Sequence, residues 1–328
     1  MINFNYVKPS TQKAVTDTLV KDATAQIIAG GTNLVDLMKR GVAVPEKLID
    51  ITGLPLKNIE QKKGFVRIGA LALNSEVAES ELILKKFPLL AKALNAGASP
   101  QLRNMATVGG NMMQRTRCSY FYDTTMPCNK RKPGSGCGAL KGYNRMHAIF
   151  GTTDNCIAVH PSDMCIALAA LDANVIISGS KGERKIAFTD FHKLAGTTPE
   201  KDNTLQRGEM ITAIELPEND AFAKKTAYVK VRDRASYAFA LISVAAALDI
   251  KGNTINGAKL AMGGVAHKPW RLTSAENFLK GKAPSEEIFK QAAAIAMKDA
   301  KGYGTNNFKL TLAPNTILQA LVTASTTA

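Results

Sequence analysis

The chain has 328 residues, 45% hydrophobic and 21% charged, the size and composition of a soluble globular protein with room for more than one core. No apolar run reaches the roughly 18 residues of a spanning helix, and the opening MINFNYVKPSTQKAVTD lacks the basic start and apolar stretch of a signal peptide, so neither a membrane span nor export by its own signal is expected. Forty-two basic against 27 acidic residues give a net charge of +15, which suits an acidic partner subunit or an anionic cofactor; nucleic acid is disfavoured because the basic residues are dispersed and accompany no nucleic-acid motif.

In chain order, Asn3 to Val7 reads as a strand, and a helix follows from Ser10, a plausible N-cap, to about Lys21, with Ala14, Val15 and Leu19 on its apolar face. Gln26-Ile-Ile-Ala-Gly-Gly-Thr-Asn-Leu34 then reads as strand, glycine turn and helix start, an arrangement that presents backbone N–H groups to a phosphate. It matches neither the Rossmann nor the P-loop fingerprint. Lys47 to Ile51 and Gly64 to Gly69 are further strands, and a helical stretch follows in which Asn74 or Ser75 caps a helix to Leu82 and Pro88 opens another to Leu94. Thr107-Val-Gly-Gly-Asn111 is a second glycine turn, and two such turns suggest two loops converging on one anionic ligand.

Residues from about 112 to 158 form an insert rich in Pro, Gly and Asn, with too few apolar side chains to hold a shape by packing. It holds Cys118, Cys128, Cys137 and Cys156, spaced C-x9-C-x8-C-x18-C, and the densest basic triplet, Lys130-Arg-Lys132. The tight C-x2-C pairs of zinc sites are absent. The spacing leaves an iron–sulfur cluster and disulfides open, with zinc behind them. The fifth cysteine, Cys165, lies in the apolar run MCIALAALDA, where a thiol behaves as a small buried side chain. The four histidines, His147, His160, His192 and His267, have no Ser, Cys or Asp arrangement suited to nucleophilic catalysis and read as structural or exposed.

After Pro161-Ser-Asp163 a capped helix is expected, then strands at Ala173 to Ser178, Glu183 to Phe188 and Glu209 to Pro217. Residues 218–226 mark a domain boundary. Beyond it, Ala227 to Arg232, Tyr237 to Ile250 and Ala258 to Gly263 read as strands, and Ala275 to Leu279, Ser285 to Met297 and Thr316 to Thr323 as helices.

Taken together, Ile28-Ala-Gly-Gly-Thr-Asn-Leu34, Thr107-Val-Gly-Gly-Asn111, Pro161-Ser-Asp163 and the C-terminal GGVAHKPWR resemble the flavin-binding subunits of the molybdenum hydroxylase (xanthine dehydrogenase) family along essentially the whole chain. The segment RTRC…YFYDT…PCNKR…PGSGC narrows the likeness to the family's periplasmic aldehyde oxidoreductases, whose flavin subunits carry a [4Fe–4S] cluster in this insert. The resemblance implies an α+β chain. A PCMH-type (vanillyl-alcohol-oxidase-like) FAD-binding domain would occupy residues 1–220, and a CO-dehydrogenase flavoprotein-like α+β domain residues 225–328.

It further implies FAD held at Ile27, Ile28, Ala29, Gly30, Gly31, Thr32, Asn33 and Leu34 and at Thr107, Gly109, Gly110 and Asn111, with backbone N–H groups of both turns cradling the pyrophosphate. Asp163 would serve the ribityl and ribose side, Ile211 would pack on the flavin, and Lys230, or else Arg232 or Arg234, would sit near the isoalloxazine, where a cation stabilises reduced flavin. Cys118, Cys128 and Cys137 of the insert are expected as [4Fe–4S] cluster ligands, and the fourth is Cys156 or Cys165. Cys156, in the loop Thr152-Thr-Asp-Asn-Cys156, is expected because burial of Cys165 opposes thiolate ligation, and no catalytic residue is expected on this chain. The implied partners are a molybdenum-cofactor subunit and a [2Fe–2S] subunit in a heterotrimer, with electrons passed through this chain to an external acceptor. The chain would reach the periplasm alongside a signal-bearing partner, a cytoplasmic enzyme being the alternative. The alternative functions are a zinc-stapled basic nucleic-acid-binding module or a stand-alone flavin oxidoreductase.

Overall fold

Three short parallel strands come first. β1 (Asn5–Val7), β2 (Ala25–Ile28) and β3 (Lys47–Asp50) pair in the order β1-β3-β2. The computed structural model describes residues 1–327. α1 (Gln12–Lys21) joins β1 to β2 and is capped by Thr11, one residue past the expected Ser10; its Oγ accepts from the Ala14 amide at 3.2 Å. α2 (Leu34–Lys39) leaves the glycine turn that ends β2.

The second sheet is antiparallel. β4 (Ile59–Lys62), β5 (Phe65–Gly69), β6 (Asn174–Gly179), β7 (Gly182–Ala187) and β8 (Met210–Pro217) run in the order β4-β5-β8-β6-β7. Between β5 and β6 the chain passes through α3 (Asn74–Glu79), α4 (Glu81–Lys86), α5 (Pro88–Ala96), α6 (Pro100–Arg103), α7 (Val108–Met112), the insert with α8 (Ser119–Tyr122), and α9 (Asp163–Ala170); α10 (Phe188–Phe191) follows β7. Asn74 is not a cap. It is buried, and Glu76 supplies the local bond by accepting from the Leu73 amide at 3.0 Å.

In the C-terminal lobe β9 (Lys225–Val231), β10 (Ile242–Lys251), β11 (Thr254–Gly263) and β12 (Trp270–Arg271) form an antiparallel sheet ordered β12-β11-β10-β9. α11 (Thr273–Leu279), α12 (Glu286–Ala296) and α13 (Lys309–Thr326) cover one face. Two boundaries differ from the sequence reading. The strand expected from Tyr237 begins only at Ile242, because Tyr237 takes φ of 54° and residues 232–241 leave the sheet as a loop. The last helix starts at Lys309, with Pro314 inside it, rather than at Thr316.

β10 explains how the lobes join. Its run Ile242-Ser-Val-Ala-Ala-Ala-Leu248 is buried throughout, so both sheet faces are covered. Val244, Ala246 and Leu248 pack with α11–α13, while Ala245 and Ala247 belong to the core of the first lobe. On that second face lies α9, all eight of whose residues are buried. A Cβ at Gly263 of β11 would sit 2.7 Å from the Ile166 side chain, so α9 lies close against the sheet. The N-terminus of α9 opens towards the functional site.

Candidate functional site

A cleft of about 610 Å³ lies between the lobes. Its walls include Thr32, the end of α5 at Gly97, Asn111, Pro161 to Met164 and the loop from Asp233 to Phe239. Such a volume accommodates a large cofactor rather than a small metabolite.

The first glycine turn meets the requirements of an anion cradle. Gly31 takes φ of +70°, and a Cβ on Gly30 would lie 1.8 Å from the Met105 carbonyl oxygen, so the turn presses directly on the Met105–Ala106 backbone that leads into the second turn. Among the described residues, the amides of Gly30, Gly31, Thr32, Asn33 and Leu34 donate to no acceptor. Five undirected donors at one bend are what an anionic ligand satisfies. Asn33 uses Oδ1 to accept from the Arg115 amide at 3.0 Å, and its buried Nδ2 has no partner. Ile27 and Ala29 pack under the turn on the small core of the first sheet, and the Ile28 side chain faces Gly31.

The second turn behaves differently from the expectation. Thr107-Val-Gly-Gly-Asn111 is the capped start of α7, and its amides are already engaged. Val108 donates to Ala72 at 3.0 Å, Gly109 to Ala70 at 2.8 Å, Asn111 to Thr107 at 2.8 Å, and Gly110 to the Thr107 hydroxyl at 3.2 Å. This turn therefore contributes a side chain to the cleft instead of a ring of N–H groups. Asn111 Oδ1 accepts from Gln114 Nε2 and Ser162 Oγ, both at 2.6 Å, tying α7 to the start of α9.

Asp163 lines the cleft but is 9% exposed and closely paired. Lys230 Nζ donates to its Oδ2 at 2.8 Å and Tyr228 OH to its Oδ1 at 2.7 Å. Burial pushes the Asp163 carboxyl up, and the Lys230 ammonium opposes that shift. Lys230 is thus engaged by Asp163 and the Ala96 carbonyl and does not reach the cleft wall. Arg234 does, lying 5.3 Å from the Tyr237 ring, whereas Arg232 donates to the Ala96 carbonyl beneath. Ile211 is buried in the core on β8, away from the cleft.

The sequence reading missed Arg117, Asn74, Tyr237 and Phe239, all on the cleft wall. Asn74 Oδ1 is buried there without a partner, a second orphan for a ligand to satisfy. Aromatics following a run of charges in Arg232-Asp-Arg-Ala-Ser-Tyr-Ala-Phe239 were the available signal. Arg117 ion-pairs with Asp36 at 3.7 Å, donates to Tyr122 OH and stacks 5.2 Å over Phe239.

Beside the cleft, Cys118, Cys128, Cys137 and Cys156 line one small cavity. No disulfide joins them; all five thiols of the chain are free. A hydrogen bond from the Cys156 thiol holds Cys137 down to about 6, and Cys156 is pushed up by the same bond. Burial pushes Cys118 up to about 12. Main-chain N–H groups of Ala139, Leu140 and Ile157 point at Cys137, and those of Phe121 and Tyr120 at Cys118. His147 Nε2 lies 3.1 Å from Cys118 Sγ. A ring of converging thiols with N–H donors aimed at the sulfurs is chemically fitted to a soft metal centre. Cys165 is not part of this ring.

The insert is ordered by polar bonds more than by packing. Lys130 is buried and donates to the Pro199 carbonyl at 2.7 Å and to Asp202, which Arg115 also binds at 2.8 Å. Arg131 donates to the carbonyls of Tyr120 and Phe121 at 2.8 and 2.7 Å. The densest basic cluster of the chain is therefore largely internal scaffolding, which removes the main feature favouring a nucleic-acid reading.

Two family descriptions cover the chain: "FAD binding domain in molybdopterin dehydrogenase" matches residues 2–219, and "CO dehydrogenase flavoprotein C-terminal domain" matches residues 227–324. The chain is 46% identical over 323 residues, 98% of each protein, to the aldehyde oxidoreductase FAD-binding subunit PaoB of Escherichia coli (strain K12). It is 30% identical over 292 residues, 89% of this chain and 86% of the other, to the glyceraldehyde dehydrogenase medium chain of Sulfolobus acidocaldarius. The structure of carbon monoxide dehydrogenase from Hydrogenophaga pseudoflava is similar with a TM-score of 0.78 at 25% identity, covering 99% of each chain. With five free amides at its glycine turn and both domains matched in order, this chain belongs to the FAD-binding subunits of the molybdenum hydroxylase family.

Proposed function

We propose that this chain is the electron-transfer subunit of a molybdenum-dependent aldehyde oxidoreductase, holding FAD in the cleft and a [4Fe–4S] cluster on Cys118, Cys128, Cys137 and Cys156. The observation that carries the reading is adjacency. Arg117 lines the cleft and Cys118 lines the cysteine ring, and both border one intermediate cavity with Pro161, Ser162 and Asp163. Two redox groups sharing a wall suit electron transfer, and the chain offers no group poised to oxidise an aldehyde itself.

When bound, the two cofactors would take electrons from partner subunits and deliver them to an external acceptor. The residues of the chain have static roles in this. The amides from Gly30 to Leu34 would hold the pyrophosphate, Asn74 and Asn111 would offer polar contacts along the cleft, and Arg117, Arg234, Tyr237 and Phe239 line its outer side. The buried Asp163–Lys230 ion pair fixes α9 against the second lobe. The partners we propose are a molybdenum-cofactor subunit and a [2Fe–2S] subunit in a heterotrimer, exported together to the periplasm through a partner's signal.

The test is an absorption spectrum, iron analysis and EPR of the dithionite-reduced protein. Non-covalent FAD and four irons per chain are expected, with Cys156→Ser losing the cluster or reducing it to three irons. An iron-free wild-type flavoprotein, purified without oxygen, would refute the cluster.

A further inference from the structure

Behind the cysteine ring, three other soft side chains converge. One ligand atom each of His160, Cys165 and His192 lies within 4.8 Å of the others, and the three residues are 7%, 0% and 3% exposed. They come from three places in the chain: the approach to α9, the first turn of α9, and the residue after α10. The two imidazoles are tilted by 52° to each other with ring centroids 4.4 Å apart. We infer that His160, Cys165 and His192 form a second metal site, separate from the cysteine ring, that takes a single d10 cation, Zn²⁺ or Cu⁺.

Three observations lead there. First, His192 Nε2 lies 2.9 Å from the Met112 carbonyl oxygen, so this nitrogen carries the proton and donates. The neutral ring then presents an Nδ1 lone pair, and that atom is buried with no partner. A backbone carbonyl fixing one nitrogen while the other stays free is how metal-ligating histidines are oriented. Second, His160 Nε2 is also buried without a partner. Two imidazole nitrogens stripped of water beside a thiol, one of them fixed as a lone pair, are unfavourable unless something electrophilic receives them. Third, the scaffold is rigid. The His160 amide donates to the Ala266 carbonyl at 2.9 Å, and the Cys165 amide to Ser162 Oγ at 3.1 Å.

Imidazole and thiolate together select zinc or copper over magnesium or calcium. Bonds of about 2.0 Å to nitrogen and about 2.3 Å to sulfur imply ligand separations near ~3.5 Å, so closure on the ion requires each side chain to move by under about 1 Å. Burial, helped by the nearby Asp163 charge and opposed by the Ser162 hydroxyl, pushes the Cys165 thiol up to about 12, and a bound cation would displace its proton on binding. Cys165 is excluded from the cysteine ring by position, since it does not line that cavity.

The test uses the intact complex, incubated with one equivalent of Zn²⁺ or, in a separate anaerobic arm, of Cu⁺, then desalted and assayed by mass spectrometry for zinc, copper and iron. One arm should retain one equivalent per flavin chain, with metal-edge X-ray absorption giving two nitrogen scatterers at about 2.0 Å and, for zinc, one sulfur at about 2.3 Å. Cys165→Ala and His192→Gln should each lose that equivalent while iron and FAD stay at wild-type levels; His160→Gln serves if either fails to accumulate. Neither metal retained by the wild type, or the same metal retained by the variants, would overturn the site. So would loss of iron in Cys165→Ala, which would place that thiol on the cluster. Because iron and the d10 metal are counted separately, failure here and failure of the cluster reading are distinguishable.

Discussion

Gly30 is constrained by its neighbour before any ligand arrives. Its Cα faces the Met105 carbonyl so closely that no side chain fits, whereas a Cβ at Gly110 would meet only the Thr107 hydroxyl at 3.0 Å. Gly30→Val should therefore lose FAD and lower the melting temperature together, read by FAD fluorescence after heat release and by calorimetry. Gly110→Ala should keep near-stoichiometric FAD, because the Gly110 amide is already bonded internally. Loss of flavin in Gly110→Ala would show that this turn touches the cofactor directly.

The histidines set the acid limit. Burial holds His192 and His147 down to about 4 and His267 down to about 3. These depressed folded values mean that the unfolded chain binds more protons between about pH 6.5 and the folded pKa, so stability falls as pH falls through that window, by about 1.4 kcal/mol per pH unit for each histidine. His267→Gln should flatten the slope of unfolding free energy between pH 6 and 4 by about one proton, measured by denaturant titration; an unchanged slope would mean that His267 is not neutral in the fold. The glycine turn was legible in the sequence because Gly-Gly after a strand is a local signal. The Asp163–Lys230 pair was not, since it joins residues 67 positions apart across two lobes.

Among the elements, α9 was readable as a capped apolar helix: Ser162 caps it, and its apolar run continues on every side. Its place between two sheets was not readable, because an all-round apolar pattern states burial without naming what covers it. Ile166 packs against Gly263 of the second lobe while belonging to the core of the first. Ile166→Ala should lower stability by about 2–5 kcal/mol and keep a single unfolding transition by fluorescence and circular dichroism. Two separated transitions would mean that the lobes unfold independently. The last helix reads in the sequence as starting at Thr316, beyond Pro314, yet it begins at Lys309, whose buried ammonium anchors it by donating to the Gly264 and His147 carbonyls at 2.7 and 2.9 Å. A lysine at a fully buried position gives no apolar signal, which is why periodicity placed the start too late.

On the scale of the whole molecule, the order of the two domains and the position of the insert were legible, because motifs in the chain punctuate both. The convergence of all four histidines behind the cysteine ring was not, as they are spread over 120 positions and meet only through the fold. The isolated, flavin-loaded chain should show no aldehyde turnover with an artificial acceptor and should gain it when its partner subunits are co-expressed. Turnover by the chain alone would contradict the electron-transfer reading.

With α9 clamped between the two sheets, the lobes cannot swing apart like jaws without exposing eight buried residues at once. The free edge of the cleft is the loop of residues 232–241, where Tyr237 and Phe239 stand exposed over the opening. Entry and departure of the flavin then become a matter of one peptide flap over a fixed frame. On the proposed reading, the kinetics of flavin exchange report on that loop rather than on domain motion.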